Sequence, residues 1–230
     1  MTQKRKPATR AVRAGIESDT QHGAVVPPIH LSSTYAFAGF EQPRQYDYSR
    51  SGNPTRDLLG SALAELEGGA GGIVTATGMA AVTLTLALVE AGERVIAPHD
   101  CYGGTHRLLS ALHRTRRAAV EFVDMTDLAA VARAMTAAPR LVLIETPSNP
   151  LLRITDIAAV TGLAHAAGAL VAVDNTFLSP LWQRPIEFGA DLVLHSTTKY
   201  INGHSDLVGG AVIARDQALL EDLDWWANCL

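Results

Sequence analysis

Cysteine is scarce in this chain: Cys101 and Cys229 are the two thiols among 230 residues. Two thiols make neither a disulfide framework nor a four-ligand zinc site, and unpaired thiols are the default of a reducing compartment. Charge of one sign is also lacking. Lysine plus arginine (19) against aspartate plus glutamate (23) leaves a net charge of −4, too weak a field to single out nucleic acid or a membrane surface as partner. No apolar run is long enough to span a bilayer; the longest, around residues 79–89, is broken by threonines. The basic opening stretch, MTQKRKPATRAVR, is followed by no apolar segment, so it reads as a solvated arm rather than a secretory signal, and a cytoplasmic protein is expected. The nucleotide patterns are missing too. There is no G-x-x-x-x-G-K-[ST], and the run at 68–72 fails G-x-G-x-x-G because position 74 is valine, which disfavours a nicotinamide oxidoreductase. No internal repeat, low-complexity tract or clear domain boundary interrupts the chain.

What is present is a globular composition, 47% hydrophobic, in a regular alternation of short apolar runs and helical stretches. Residues 1–45 read as an extended arm, with Pro27-Pro28 and the string from Leu31 to Tyr35. A turn-rich loop, Tyr46 to Thr55, follows; Thr55 is expected to cap a helix over 56–67 with Leu58, Leu59, Ala62, Leu63 and Leu66 on its apolar face, stopped by Gly68-Gly69. Strands are expected at 73–76, 94–98, 120–123, 141–145, 170–174, 192–195 and 211–214, and helices at 79–90, 105–114, 128–137, 154–167 and 217–228. This alternation predicts an α/β fold, a mostly parallel seven-stranded sheet with helices on both faces, over residues 46–230. Adjacent Trp225 and Trp226 near the last residue call for burial, so either a truncated chain or a final helix that docks on a missing partner is expected.

Sheets of this kind bind ligands at the carboxyl ends of their strands. Those ends carry Thr77-Gly78-Met79, His99 to Tyr102, Glu145 to Asn149, Asp174-Asn175, and Ser196 to Lys199. Gly78 opens a helix, where free backbone N–H groups make an anion site, or else serves a tight turn. Asp174 leaves a buried strand and needs a partner, either a protonated heterocyclic nitrogen or a neighbouring loop. Tyr102, before Gly103-Gly104, can lie on a planar ligand or simply pack. Lys199, past a buried strand and flanked by hydroxyls, is a nucleophile if its pocket is partly desolvated and a solvated charge otherwise. An anion site, a carboxylate, a stacking ring and an amine together suit a phosphorylated, cationic aromatic aldehyde: pyridoxal phosphate.

Longer strings carry a resemblance. VPPIHLSSTY (26–35), YDYSRSGNPTR (46–56), APHDCYGG (97–104), ETPSNPLL (145–152) and the lysine stretch 190–210 resemble the Cys/Met-metabolism family of pyridoxal-phosphate enzymes, and within it the γ-synthase branch. The resemblance covers nearly the whole chain. It implies the aspartate-aminotransferase-like large domain, fold type I. It implies that Lys199 holds pyridoxal phosphate as a Schiff base and moves protons. Asp174 would pair with the ring nitrogen, Tyr102 stack on the ring and act beside Lys199, and Asn149 bond the ring hydroxyl. Gly78, Met79, Ser196 and Thr198 would hold the phosphate. Tyr48 and Arg50 would reach the phosphate in a neighbouring subunit of a homotetramer built from active dimers. The implied reaction is γ-replacement on an O-acylhomoserine with cysteine, giving cystathionine on the route to methionine; the γ-lyase and sulfhydrylase reactions and a silent cofactor-binding remnant are its alternatives. Family members continue into a smaller C-terminal domain with the arginine that grips the substrate carboxylate, and that domain is expected to be missing here.

Overall fold

The computed structural model describes residues 5–230, so the first four residues of the basic stretch lie outside the described residues. Seven strands form one sheet: β1 (Gly71–Thr75), β2 (Arg94–Pro98), β3 (Ala119–Val123), β4 (Leu141–Glu145), β5 (Leu170–Asp174), β6 (Leu192–His195) and β7 (Gly210–Ala214), in the order β1-β7-β6-β5-β4-β2-β3. All neighbours pair in parallel except β7, which runs antiparallel to both β1 and β6. The reversal brings the start of β7 to the edge where the other strands end.

The helices are α1 (Pro7–Arg13), α2 (Pro54–Glu67), α3 (Gly78–Leu86), α4 (Gly103–Arg114), α5 (Leu128–Met135), α6 (Ile157–Ala166), the short α7 (Ser179–Trp182) and α8 (Gln217–Cys229), with a 3₁₀ turn over Pro185–Phe188. Alternate strand residues feed opposite faces of the sheet, as the two-residue period of a strand requires. Val95, Leu141, Leu143, Ala172, Leu192 and Leu194 join the core under α3, α4 and α8. Ile96, Val142, Ile144, Val171 and Val173 join a second core under α5 and α6, and Val193, Ala211 and Ile213 meet Leu63 and Ala64 of α2. Each fully buried leucine or isoleucine here contributes about 1.5–3 kcal/mol of transfer free energy. Among the described residues no helix is long and apolar enough to cross a membrane.

Several boundaries differ from the sequence expectation, each for a local reason. Asn53, not Thr55, caps α2: its side chain accepts the N–H groups of Thr55 and Arg56, and Pro54 takes the first helical position. The Thr55 hydroxyl instead accepts the N–H of His30 at 2.9 Å, tying the arm to the helix. The buried face of α2 is Gly60, Leu63, Ala64 and Glu67, while Leu59 is exposed. Gly60 decides that orientation. A Cβ there would stand 2.2 Å from the Gly72 carbonyl oxygen, so helix and strand meet backbone to backbone. The same contact draws Gly71 and Gly72 into β1, which therefore starts two residues before the expected position. Gly68, at φ +83°, ends α2 as expected.

Asp156 caps α6, taking the N–H of Ala159, so the helix begins at Ile157 rather than 154. Helix α3 ends at Leu86, four residues short of expectation, in a series of turns leading to β2. Within the arm, residues 7–13 form α1, whose Arg10 guanidinium reaches the Glu65 carbonyl of α2 at 3.0 Å. Of the tryptophan pair, Trp226 packs against the core while Trp225 stays 60% exposed, the rings edge to face at 4.9 Å.

Candidate active site

At the carboxyl edge of the sheet lies a cavity of about 330 Å³, within the usual range of about 300–1,000 Å³ for cofactor-sized ligands. Its lining comes from the ends of β1, β4, β5 and β6, from α3 and α4, and from the loop leading to β7.

One wall is a set of backbones pressed together. Thr77, in extended conformation, caps α3 by accepting the Ala80 N–H at 2.9 Å. The first N–H groups of a helix have no partner within it, so those of Gly78 and Met79 are left for an anion. A Cβ on Gly78 would stand 2.6 Å from Cβ and 3.0 Å from Oγ of Ser196. The helix start therefore sits directly against the Ser196 hydroxyl because residue 78 has no side chain. Gly209 and Gly210 repeat the device: their Cβ atoms would stand 2.5 Å from Thr197 Oγ1 and 2.2 Å from the Thr77 carbonyl oxygen. The β1–α3 turn and the two ends of the loop between β6 and β7 thus converge on a cradle that side chains would fill.

The opposite side carries carboxylates. Asp174 ends β5, lines the cavity and accepts the N–H of Thr176 at 3.0 Å. Glu145 ends β4 in register with Asp174 and is 7% exposed. Burial, and then the charge of Asp174, push the Glu145 carboxyl up to about 7, against the pull of two backbone hydrogen bonds. Those bonds come from Tyr102 N–H to Oε2 at 2.8 Å and from Asn149 N–H to Oε1 at 2.7 Å. Tyr102 is the residue preceding α4. A Cβ on Gly104 would fall 2.6 Å from the Tyr102 ring and 2.8 Å from the Met79 sulfur, so the ring lies over a bare backbone next to α3.

Lys199 also lines the cavity, in the turn after β6. It is exposed, contrary to the expectation of a partly desolvated lysine, because the following stretch around Tyr200, Leu207 and Val208 is itself exposed and does not cover it. Among the described residues its ammonium has no hydrogen-bond or salt-bridge partner. The Thr198 hydroxyl is engaged with Gly209, donating to its carbonyl oxygen at 3.2 Å and accepting its N–H at 3.0 Å. A phosphate at Thr198 would have to take over that donor.

The cavity thus brings together Gly78, Met79, Tyr102, Asn149, Asp174, Ser196, Thr198 and Lys199. Tyr48 and Arg50 do not line it. Arg50 lies over the Tyr48 ring, 5.5 Å from its centroid, and hydrogen-bonds Oδ1 (2.7 Å) and the carbonyl oxygen of Asn228 at the end of α8.

Sequence reasoning gave no role to a buried cluster beneath the site. His195 Nε2 lies 2.6 Å from Glu67 Oε1, and both residues are fully buried. Asn175 donates to the same Glu67 oxygen at 2.8 Å and to the Gln183 carbonyl oxygen, and the Gln183 amide returns to Asn175 Oδ1 and to the Thr146 carbonyl oxygen. The cluster ties α2, α7 and the residues after β4 and β5 to the end of β6, next to Ser196. The one signal in the sequence was Glu67, a charged residue one turn after Leu63 on the buried face of α2.

The donor set fits pyridoxal phosphate: a helix start and a hydroxyl for a dianion, a carboxylate for a protonated ring nitrogen, an aromatic face and an amine, around one cavity. Comparison with known proteins then decides the family. The sequence model for "Cys/Met metabolism PLP-dependent enzyme" matches residues 8–230. The chain belongs to this family of pyridoxal-phosphate-dependent enzymes.

Within the Cys/Met-metabolism family, the chain is 57% identical over 225 residues to cystathionine gamma-synthase of Escherichia coli K12, which covers 97% of this chain and 58% of that protein. It is 42% identical over 222 residues to cystathionine beta-lyase of Lactococcus lactis subsp. cremoris, covering 96% and 58%. Its fold superposes with a TM-score of 0.97, at 60% identity, on the crystal structure of cystathionine gamma synthase from Xanthomonas oryzae pv. oryzae in complex with aminoacrylate and cysteine, covering 99% of this chain and 59% of that one. The chain therefore spans less than two thirds of these relatives, and its sheet is the fold type I sheet of the family.

Proposed function

We propose that the chain carries the cofactor site of an enzyme that replaces the γ-substituent of an O-acylhomoserine, succinyl or acetyl, with cysteine to give cystathionine, in transsulfuration and methionine biosynthesis. One observation carries the site: Lys199, Asp174 and the Gly78 turn leave three different strands and open into one cavity. The choice of reaction is supported by likeness, since both γ-synthases resemble the chain more than the β-lyase does.

When bound, pyridoxal phosphate supplies an electron sink for charge developing at the substrate Cα. The N–H groups of Gly78 and Met79 and the hydroxyls of Ser196 and Thr198 would hold its phosphate. Asp174 would keep the proton on the ring nitrogen, because a negative charge beside it favours the charged form. Tyr102 would cover the ring and Asn149 would bond its hydroxyl. Lys199, an amine on an exposed stem, would attach the cofactor, then carry a proton at Cα once released. In this reading residues 1–45 are an arm and 46–230 the cofactor domain of a soluble cytoplasmic homo-oligomer. Tyr48 and Arg50, which lie outside their own chain's cavity, would serve a neighbour's phosphate; the exposed apolar residues of the arm, among them Leu31 and Phe40, support burial in an assembly.

The test begins with added cofactor, borohydride reduction and peptide mapping. The sequence has three lysines, Lys4, Lys6 and Lys199, so the label is expected on Lys199; label elsewhere, or none, removes the cofactor assignment. Cystathionine formed from O-succinyl- or O-acetylhomoserine plus cysteine supports the replacement reaction. An α-keto acid released without cysteine supports a lyase, and no turnover by a folded, loaded chain supports a silent remnant.

A further inference from the structure

Glu145 has a place in the site that the cofactor-binding set leaves unused. It is a buried carboxylate at the end of β4, its Cα paired in register with that of Asp174 on β5. Partner residues on adjacent parallel strands project to the same side, so two carboxylates share this part of the cavity wall. Such an arrangement is electrostatically costly, and nothing cationic among the described residues pairs with Glu145. What it bonds instead is backbone. One oxygen takes the Tyr102 N–H at 2.8 Å and the other the Asn149 N–H at 2.7 Å. These two residues come from separate loops, one after β2 and one after β4; the strands pair at Val95–Leu141 and Ile96–Val142, but among the described residues no backbone–backbone hydrogen bond joins the two loops beyond them. Ser148 adds a second tie, its hydroxyl donating to Asp100 at 2.6 Å.

We propose that Glu145 is a positioning residue, a two-oxygen clamp that fixes the backbones of Tyr102 and Asn149 relative to each other and so sets where the tyrosine ring and the asparagine amide meet the cofactor. The inference rests on the pyridoxal-phosphate reading for its purpose, though the clamp itself belongs to the chain alone. A carboxylate is the one side chain of this length that accepts from two N–H donors at once through two equivalent oxygens. Glutamine keeps the shape but has one oxygen; its amide nitrogen would face the second N–H donor to donor. Aspartate keeps the charge but is one methylene shorter.

The clamp is tested on the cofactor-free chain at pH 8, above the raised value of about 7 where both oxygens accept, by amide hydrogen exchange of wild type, Glu145→Gln and Glu145→Asp. Exchange at Tyr102 or Asn149 is expected to quicken at least tenfold in Glu145→Gln, while the amides of Val171 and Val173 in β5 keep their protection. On adding pyridoxal phosphate, the visible circular dichroism of the bound cofactor is expected to fall severalfold in Glu145→Gln, with Glu145→Asp between the variant and wild type. Tyr102 and Asn149 exchanging within twofold of wild type in both variants overturns the clamp. So does equal acceleration of the β5 amides, or failure of both variants to fold, since each makes Glu145 a support of the whole sheet. If wild type takes up no cofactor, the exchange result still decides the clamp, and it is the pyridoxal-phosphate reading that falls.

Discussion

Replacing Gly78 with alanine tests the cradle at its tightest point. The new Cβ would stand 2.6 Å from Cβ of Ser196, where carbon atoms ordinarily rest at about 3.5–4.0 Å. Neither side can yield by rotating a long side chain: one is the first turn of α3 and the other the backbone after β6. The two must part by about 1 Å. A donor held about 2.9 Å from a phosphate oxygen would then stand beyond about 3.5 Å, where the hydrogen bond is lost. One bond to a charged group is worth about 1.5–3 kcal/mol, so pyridoxal phosphate should bind roughly 10- to 150-fold more weakly. The overpacking itself should cost about 1–3 kcal/mol of stability. The assay is an equilibrium titration of the cofactor by absorbance, with inorganic phosphate as competitor and chemical denaturation alongside. A variant binding within twofold of wild type would refute the placement of the phosphate at the Gly78–Ser196 contact.

Four other outcomes follow from the same structure. The raised carboxyl of Glu145 makes stability fall with pH: its contribution is full below the ordinary value of 4.5 and is lost as pH rises through about 7, worth about 3 kcal/mol. Melting of the cofactor-free chain between pH 5 and pH 8, at the order of one scan per half unit of pH, should show that decline in wild type and a flatter profile in Glu145→Gln. Gly162, exposed inside α6 with nothing within 4 Å of its would-be Cβ, should stabilise the chain by about 0.5–1 kcal/mol when changed to alanine, read as a raised midpoint of denaturation. Asp191 is 2% exposed and holds Arg215 at 2.6 Å, His165 at 2.9 Å and the Val171 N–H at 2.7 Å; both side-chain partners are themselves exposed, so Asp191→Ala should cost about 1–3 kcal/mol, mainly the unpaired buried N–H. Removing Glu121 from its half-exposed bridge to Arg94 should cost no more than about 1 kcal/mol.

The sheet was legible because its strands are short apolar runs with one consistent length and spacing. The carboxyl edge followed from the α/β alternation; the strand order and the reversal of β7 did not. What escaped the sequence was set by contacts between distant segments. The buried face of α2 is chosen by Gly60 meeting Gly72, and no periodicity marks a glycine as the inward residue when leucines lie on either side. Asn53 displaced Thr55 as a cap because Pro54 occupies the first helical position, which moves the cap back. The site residues could be placed at one edge from sequence, yet the exposure of Lys199 depends on the path of the residues after it. The roles of Glu145 and Glu67 depend on where backbone N–H groups and a histidine arrive from elsewhere in the chain. Charged residues at the ends of strands or buried helical faces were visible; their partners were not.

The reversed strand gives the lysine loop a particular economy. Lys199 lies in a loop that leaves β6 at His195 and returns through Gly210, and these two strands are paired neighbours, with His195 opposite Ala211. The ends of the loop are therefore held together by the sheet before the loop itself adopts any shape. The entropy of closing it, which grows only slowly with loop length, is met by hydrogen bonds between β6 and β7 and not by contacts of the loop. The segment bearing the reactive amine is thereby free to be open, exposed and weakly packed while its two anchors remain among the most buried backbone in the molecule. Sequence change between residues 203 and 208, which are exposed, should accordingly alter what approaches Lys199 with little effect on folding, which makes this loop the natural place for the chemistry of the site to vary.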